Sequence, residues 1–159
     1  MASGFRNATT VDRSYVARNN AERTRLRVLI SRASDGDLSR AMPAGWTVAG
    51  VLAHMAFWDQ RISVLLDRWQ HDGASPPLEN PVDVPWINDA AKPLMLALPP
   101  RRAAEVALAI AEAVDRQVET LSDDVVARNA AAGLLNLARA DHRSEHLDDL
   151  ERVLGKTRP

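Results

Sequence analysis

Apolar residues in this chain recur every three or four positions over long stretches and almost never alternate with polar ones. That is the period of a helix and not of a strand. Abundant Ala, Leu and Arg, with few clusters of β-branched residues, push the same way. The expectation is an all-α protein. A first helix is predicted over about residues 11–33, marked by Val11, Tyr15, Leu26, Leu29, Ile30 and Ala33, with Thr9 or Thr10 as cap and Asp12 in its first turn. After a turn at 34–37 and a loop around 43–45, a second helix should start at Trp46 or Thr47 and reach about Gln70. Two apolar stripes mark it, one through Val51, Trp58, Ile62, Leu65 and Trp69 and one through Val48, Leu52, Met55 and Leu66. A helix buried on two sides is an interior helix.

Residues 71–85 read as loop, dense in Pro, Gly and Asp. A short helix over 86–91 should end before Pro93. Pro99 and Pro100 suit the first turn of a third long helix, over 101–121. A fourth is predicted over about 130–154, with Gly155 as its C-cap. Four long helices in 159 residues predict a single domain, a four-helix bundle with its core over about 11–154.

The charge balance, 20 Lys and Arg against 21 Asp and Glu, gives no sign of a nucleic-acid surface, and the basic residues are spread out. The first residues lack the apolar core of a signal peptide, and no apolar run is long enough to span a bilayer. A cytoplasmic protein with no membrane partner is expected. The chain has no cysteine, which excludes disulfides, thiolate ligands and a cysteine nucleophile.

Three of the four histidines sit where a metal would want them. His142 and His146 are four apart, one above the other on a helix, so both imidazoles can reach one ion. The helical wheel places Leu135, Val153, His146 and Leu150 within about eighty degrees of His142, so the pair should face the core. His54 lies upstream among Val51, Trp58 and Leu65. Three inward imidazoles leave several ring nitrogens in need of partners, and a shared ion supplies one to each. Three histidines with an open position are the arrangement of catalytic zinc. The pair alone is a weak signal, because it lacks the Glu of the zinc-protease pattern. His71, in the Asp- and Gly-containing loop, should be exposed.

At this point the sequence resembles a known family. Gly45, Trp46, Thr47 and Val48 leading to His54, then Phe57 and Trp58, resemble the second helix of the DinB/YfiT-like superfamily of metal-dependent enzymes. The late run from His142 through Glu145 and His146 to Leu150 resembles its metal-binding fourth helix. The turn at 34–40 and the stretch Pro85, Trp86, Ile87, Asn88 resemble the corresponding connections. The resemblance implies a four-helix bundle, often a homodimer, holding a divalent ion, zinc or nickel, at His54, His142 and His146. The superfamily includes transferases that use low-molecular-weight thiols and the metal-binding module of a mycothiol-dependent maleylpyruvate isomerase.

Other residues are candidates for a small-molecule site. Arg61, two turns beyond His54, could bind a carboxylate of substrate or thiol, or pair with an internal acid. Trp58, Trp86 and Asn88 could line a pocket beside the ion, although tryptophans in bundles commonly belong to the core. Glu145 and Asp149 could orient an imidazole or act as general base; the alternative is ordinary surface ion pairing. Three functions stay open. One is a transferase that activates an external thiol, the borrowed nucleophile fitting a chain without cysteine. The second is a metal-dependent hydrolase using activated water. The third is a stress-response or interaction module with a structural metal, for which a fourth protein ligand would be needed.

Overall fold

The structure is a computed structural model and describes residues 10–73, 75–78 and 80–155. Among these it is mostly helical. The helices are α1 (Ser14–Arg32), α2 (Asp35–Leu38), α3 (Val48–Asp72), α4 (Asp83–Leu96), α5 (Pro100–Glu119), α6 (Asp123–Ala132) and α7 (Arg139–Gly155). The four longer core helices pack side by side, α3 on α5 and on α7, and α1 on α7 and on α5. No helix of the described residues is long and apolar enough to cross a membrane.

Local chemistry explains most boundaries. The Thr47 hydroxyl accepts the Gly50 N–H at 3.0 Å and starts α3; Gly73, at φ +67°, ends it. The expected turn at 34–37 is the one-turn helix α2, with a reciprocal capping box between Ser34 and Asp37. The expected cap of α1 is corrected. Residue 13 holds the cap position without a side-chain cap, and Asp12, just outside the helix, accepts the Ser14 N–H at 2.8 Å. Thr9 lies outside the described residues. The stretch expected as a loop before α3 contains two residue pairs of antiparallel ribbon, β1 (Ala41–Met42) on β2 (Trp46–Thr47), with Met42 opposite Trp46.

Two helix predictions are overturned. Pro93 does not stop α4, which runs through it to Leu96. Asp89 and Pro93 lie on the exposed side, so the hydrogen bond that proline removes is lost where water can replace it. The predicted fourth helix is in fact two. Gly133, at φ +60°, closes α6 by donating its N–H to the Asn129 carbonyl at 2.8 Å. Buried Asn129 then brackets the connection, accepting from Leu135 N–H and donating to Leu135 C=O, both at 2.9 Å. Buried Asn19 of α1 does the same for the entry to α7, accepting from Ala140 N–H and donating to Leu137 C=O. Leu135 therefore belongs to this joint and not to the helix of His142.

The core has two apolar parts. One gathers Leu26, Leu52, Met55, Ala104, Leu147 and Leu150; the other gathers Tyr15, Ile62, Leu66, Val114, Val118 and Leu137. Between them, at the levels of residue 59 on α3, 115 on α5 and 143 on α7, the interior is charged.

Candidate metal centre

Two helices bring the three histidines together. His54 stands two turns into α3, buried at 7 % exposure, while His142 and His146 occupy the first and second turns of α7 and are half-buried. His142 is thus at the start of its helix and not the middle, because the joint around Gly133 delays α7. The fully buried face of α7 is Arg143, Leu147 and Leu150, and the histidines flank it. Trp46 makes an edge-type ring contact with His54, with centroids 5.7 Å apart. Gly50 permits that seat, since a Cβ there would lie 3.3 Å from the Trp46 ring and 2.7 Å from Leu96 of α4.

The Nε2 atoms face one another. His142 Nε2 lies 3.3 Å from that of His54 and 3.1 Å from that of His146. One ring nitrogen from each histidine lies within 4.8 Å of the other two. Hydrogen bonding alone cannot satisfy this arrangement, because a neutral ring nitrogen carries either one proton or one lone pair. His142 Nε2 can therefore make one of its two close contacts a good bond and not both. A cation accepts all three lone pairs at once. Nitrogens about 2.0–2.1 Å from a tetrahedral ion stand about 3.3–3.4 Å apart, close to both separations observed. The donor set fits a divalent ion such as zinc.

Electrostatics agree. Burial pushes the His54 imidazolium down to about 4, with the charge of His146 adding to the shift. Burial pushes His142 down to about 2, helped by His146, Arg139, His54 and Arg143. Burial also lowers His146, partly offset by Glu145 and Asp149. All three rings are neutral at neutral pH, the form a metal ligand needs. Their outer support is thin, since the buried Nδ1 atoms of His54 and His142 have no hydrogen-bond partner among the described residues.

Beside the histidines lies the charged layer, which the sequence reading did not anticipate. Asp59 of α3 accepts from Arg139 Nε at 2.8 Å on one oxygen and from Arg143 Nε and Nη2 at 3.0 and 2.8 Å on the other. Arg143, fully buried, also donates to Asp115 of α5 at 2.8 Å, and Arg23 of α1 reaches the same Asp115 oxygen at 2.9 Å. Burial alone would lower Arg143, and the Asp59 and Asp115 carboxylates more than offset it, holding the guanidinium above its ordinary value.

A cavity of about 620 Å³ opens over His54 and His146. Of the residues expected around the site, Asn88 and Asp149 line it. Trp58 is buried next to it, 6.4 Å from the His54 ring, and donates its indole N–H to Asn88 Oδ1 at 2.9 Å. Trp86 is 59 % exposed and bonds Asp83. Arg61 stacks on Trp58 and faces a separate apolar groove between α3, α4 and α5. Glu145 is exposed and does not line the cavity, and Asp149 pairs with Arg152; among the described residues neither bonds an imidazole. His71 is exposed, its Nδ1 2.8 Å from the Asp67 carbonyl. The cavity cations are Lys92 and Arg152, unmarked in the sequence reading. Lys92 sits one turn after Asn88, donates to the Ala44 carbonyl at 2.5 Å and lies over the Trp46 ring. That i, i+4 spacing on a helix was the available signal.

Compared with protein-family models, curated proteins and solved structures, the chain finds no match in any of the three.

Proposed function

We propose that the protein is a metal-dependent enzyme built on a four-helix bundle of the DinB/YfiT-like kind. In this reading His54, His142 and His146 hold one divalent ion, zinc first and nickel next, and the reaction transfers a low-molecular-weight thiol to an electrophile. The observation that supports it most is the convergence of three neutral imidazoles whose facing nitrogens cannot satisfy one another. A divalent ion bound there supplies positive charge that lowers the pKa of a thiol or of water. The protein's own residues do the rest. Trp46, in an edge-type contact with the His54 ring, gives the cavity an apolar wall. Asn88, whose oxygen is occupied by the Trp58 indole, presents its amide N–H₂ as a donor. Lys92 offers a cation in the lining, while Arg152 is paired with Asp149 and Asp89 adds a second carboxylate, so the cavity suits a polar ligand. A thiol is preferred as nucleophile because the chain has no cysteine of its own. The second reading, a hydrolase, draws support from Asp149, a carboxylate in the same cavity that could take a proton from water. A homodimer and a cytoplasmic location complete the proposal.

Untagged protein reconstituted with zinc tests the centre. About one ion per chain is expected, lost in His142→Ala and kept in His71→Ala; less than about a tenth of an equivalent removes the site. In a cobalt-loaded sample, glutathione should change the absorption spectrum of the wild type and not of His54→Ala. Turnover of esters without any response to thiols would favour the hydrolase.

A further inference from the structure

The histidine centre is divided between two helices, and the contact between those helices is the sparse one. α3 and α7 share less contact than α3 with α5 or α1 with α7. His142 and His146 keep their spacing through the geometry of α7 alone, so the arrival of His54 depends on how α3 is set against α7. Apolar packing gives that setting little direction. A slide of one residue along a helix moves a side chain by about 1.5 Å. A metal site tolerates about 0.2 Å.

Something must fix the register, and one carboxylate is placed to do it. Asp59 stands five residues after His54, while Arg139 and Arg143 flank His142 by three and one. Both Asp59 oxygens are used. One takes Arg139 and the other takes Arg143 twice, all within 3.0 Å and all buried. Two guanidinium groups one helical turn apart on a single carboxylate define both the height and the rotation of α7 on α3. Among the described residues, the contact of His54 with His142 is the one other polar link between these helices. Arg143 in turn is anchored from behind by Asp115, which Arg23 also holds.

We infer that Asp59, through Arg139 and Arg143, is the positioning residue that sets His54 against His142 and His146. The inference rests on the proposed metal centre for its purpose and on the ring geometry for its substance, so the two can fail separately. Asp59→Asn removes the charge from the α3 side of the layer. Asp115→Asn removes an equally buried charge from the far side, where it contacts Arg143 but leaves Asp59 and both of its arginine partners in place. A layer that merely holds the fold together would answer both changes alike.

The experiment compares wild type, Asp59→Asn and Asp115→Asn in two readouts, with folding followed by circular dichroism. Zinc affinity, measured by competition with a chelating dye, should fall about tenfold or more in Asp59→Asn, the range typical for groups that orient metal ligands. It should stay within about threefold of wild type in Asp115→Asn. In metal-free protein, nuclear Overhauser contacts between the rings of His54 and His146, whose centroids are 4.9 Å apart, should persist in Asp115→Asn and vanish in Asp59→Asn. The contact between His142 and His146, within one helix, should persist in both. Equal effects of the two variants, or an unchanged ring contact in Asp59→Asn, overturn the inference. Should Asp59→Asn not fold, Arg139→Lys keeps the charge and gives up the Nε bond, and must weaken the same ring contact for the inference to stand. A wild type that binds no zinc but shows this ring pattern would refute the metal reading and leave the positioning role intact.

Discussion

Burying three neutral imidazoles makes the metal-free protein acid-labile in a particular window. An unfolded histidine protonates near pH 6.5, whereas burial holds His54 down to about 4 and His142 down to about 2. The folded state thus binds fewer protons than the unfolded one. Stability is complete above pH 6.5 and drains away as the pH falls towards the folded values. At pH 5 the linkage relation gives about 2 kcal/mol lost for His54 and about 2 kcal/mol for His142. Together these are a large part of the roughly 5–15 kcal/mol a domain has to lose. Carboxylates held low by their partners, such as Glu112 beside Arg27 and Glu151 beside Arg25, act in the same direction. They act below their ordinary value of 4.5, so the range from pH 6.5 to 5 reports the histidines. Urea unfolding of chelator-treated protein at pH 7, 6 and 5 should show the fall, and His54→Gln, which keeps a neutral side chain, should remove about 2 kcal/mol of it. A wild-type stability that is flat between pH 7 and 5 would refute the burial argument.

The charged layer and the α6–α7 joint make further predictions. Arg143→Met leaves Asp59 and Asp115 each short of a partner in the interior, so urea unfolding should show a loss of about 3–5 kcal/mol; a loss under about 1 kcal/mol would mean the layer is solvated. Gly133→Val places a β-branched residue at φ +60° and should cost roughly 1–3 kcal/mol by the same assay.

The histidine cluster was legible in the sequence because its spacing is a property of the helix itself. Residues four apart share a face whatever surrounds them, and an apolar environment for His54 can be read from Val51 and Trp58. The helical class was legible for the same reason, and so was the start of α3 to within two residues, Trp46 or Thr47 against Val48, since caps and periods are local. The interior charges were misread for a physical reason as well. A wheel drawn through a single helix over 130–154 counted Leu135 as a core mark and centred the buried face on His142. With the helix starting at Arg139, the spacing of Arg139, Arg143, Leu147 and Leu150 is i, i+4, i+8 and i+11, which puts both arginines on the apolar stripe. Gly133 and Asn136 were the local signs of that later start. Which acids would meet those arginines was not legible, because Asp59 and Asp115 reach them only through the packing of α3 and α5.

Local rules and global structure agree over most of this chain. Among the described residues, single buried polar atoms go without a partner at Tyr15, Arg23, Trp69, Asp115 and Gln117, but at the histidines several gather at once. Caps are satisfied at α2, α3 and α6, buried Asn19 and Asn129 have their partners, and the two apolar clusters are closed. At the histidines, two buried Nδ1 atoms lack partners and three Nε2 atoms compete for bonds that cannot all form. Each unmade bond costs about 1–3 kcal/mol, and the depressed pKa values add an acid liability. Packing does not explain the expense, since a leucine at His142 would bury as well without the orphaned nitrogens. A ligand that takes the three facing lone pairs removes the conflict between them without repacking the helices. Violations of this kind persist where function requires them. The adjoining Asp59 and Arg143 layer holds the violation in place and prevents it from relaxing by a slide of α7.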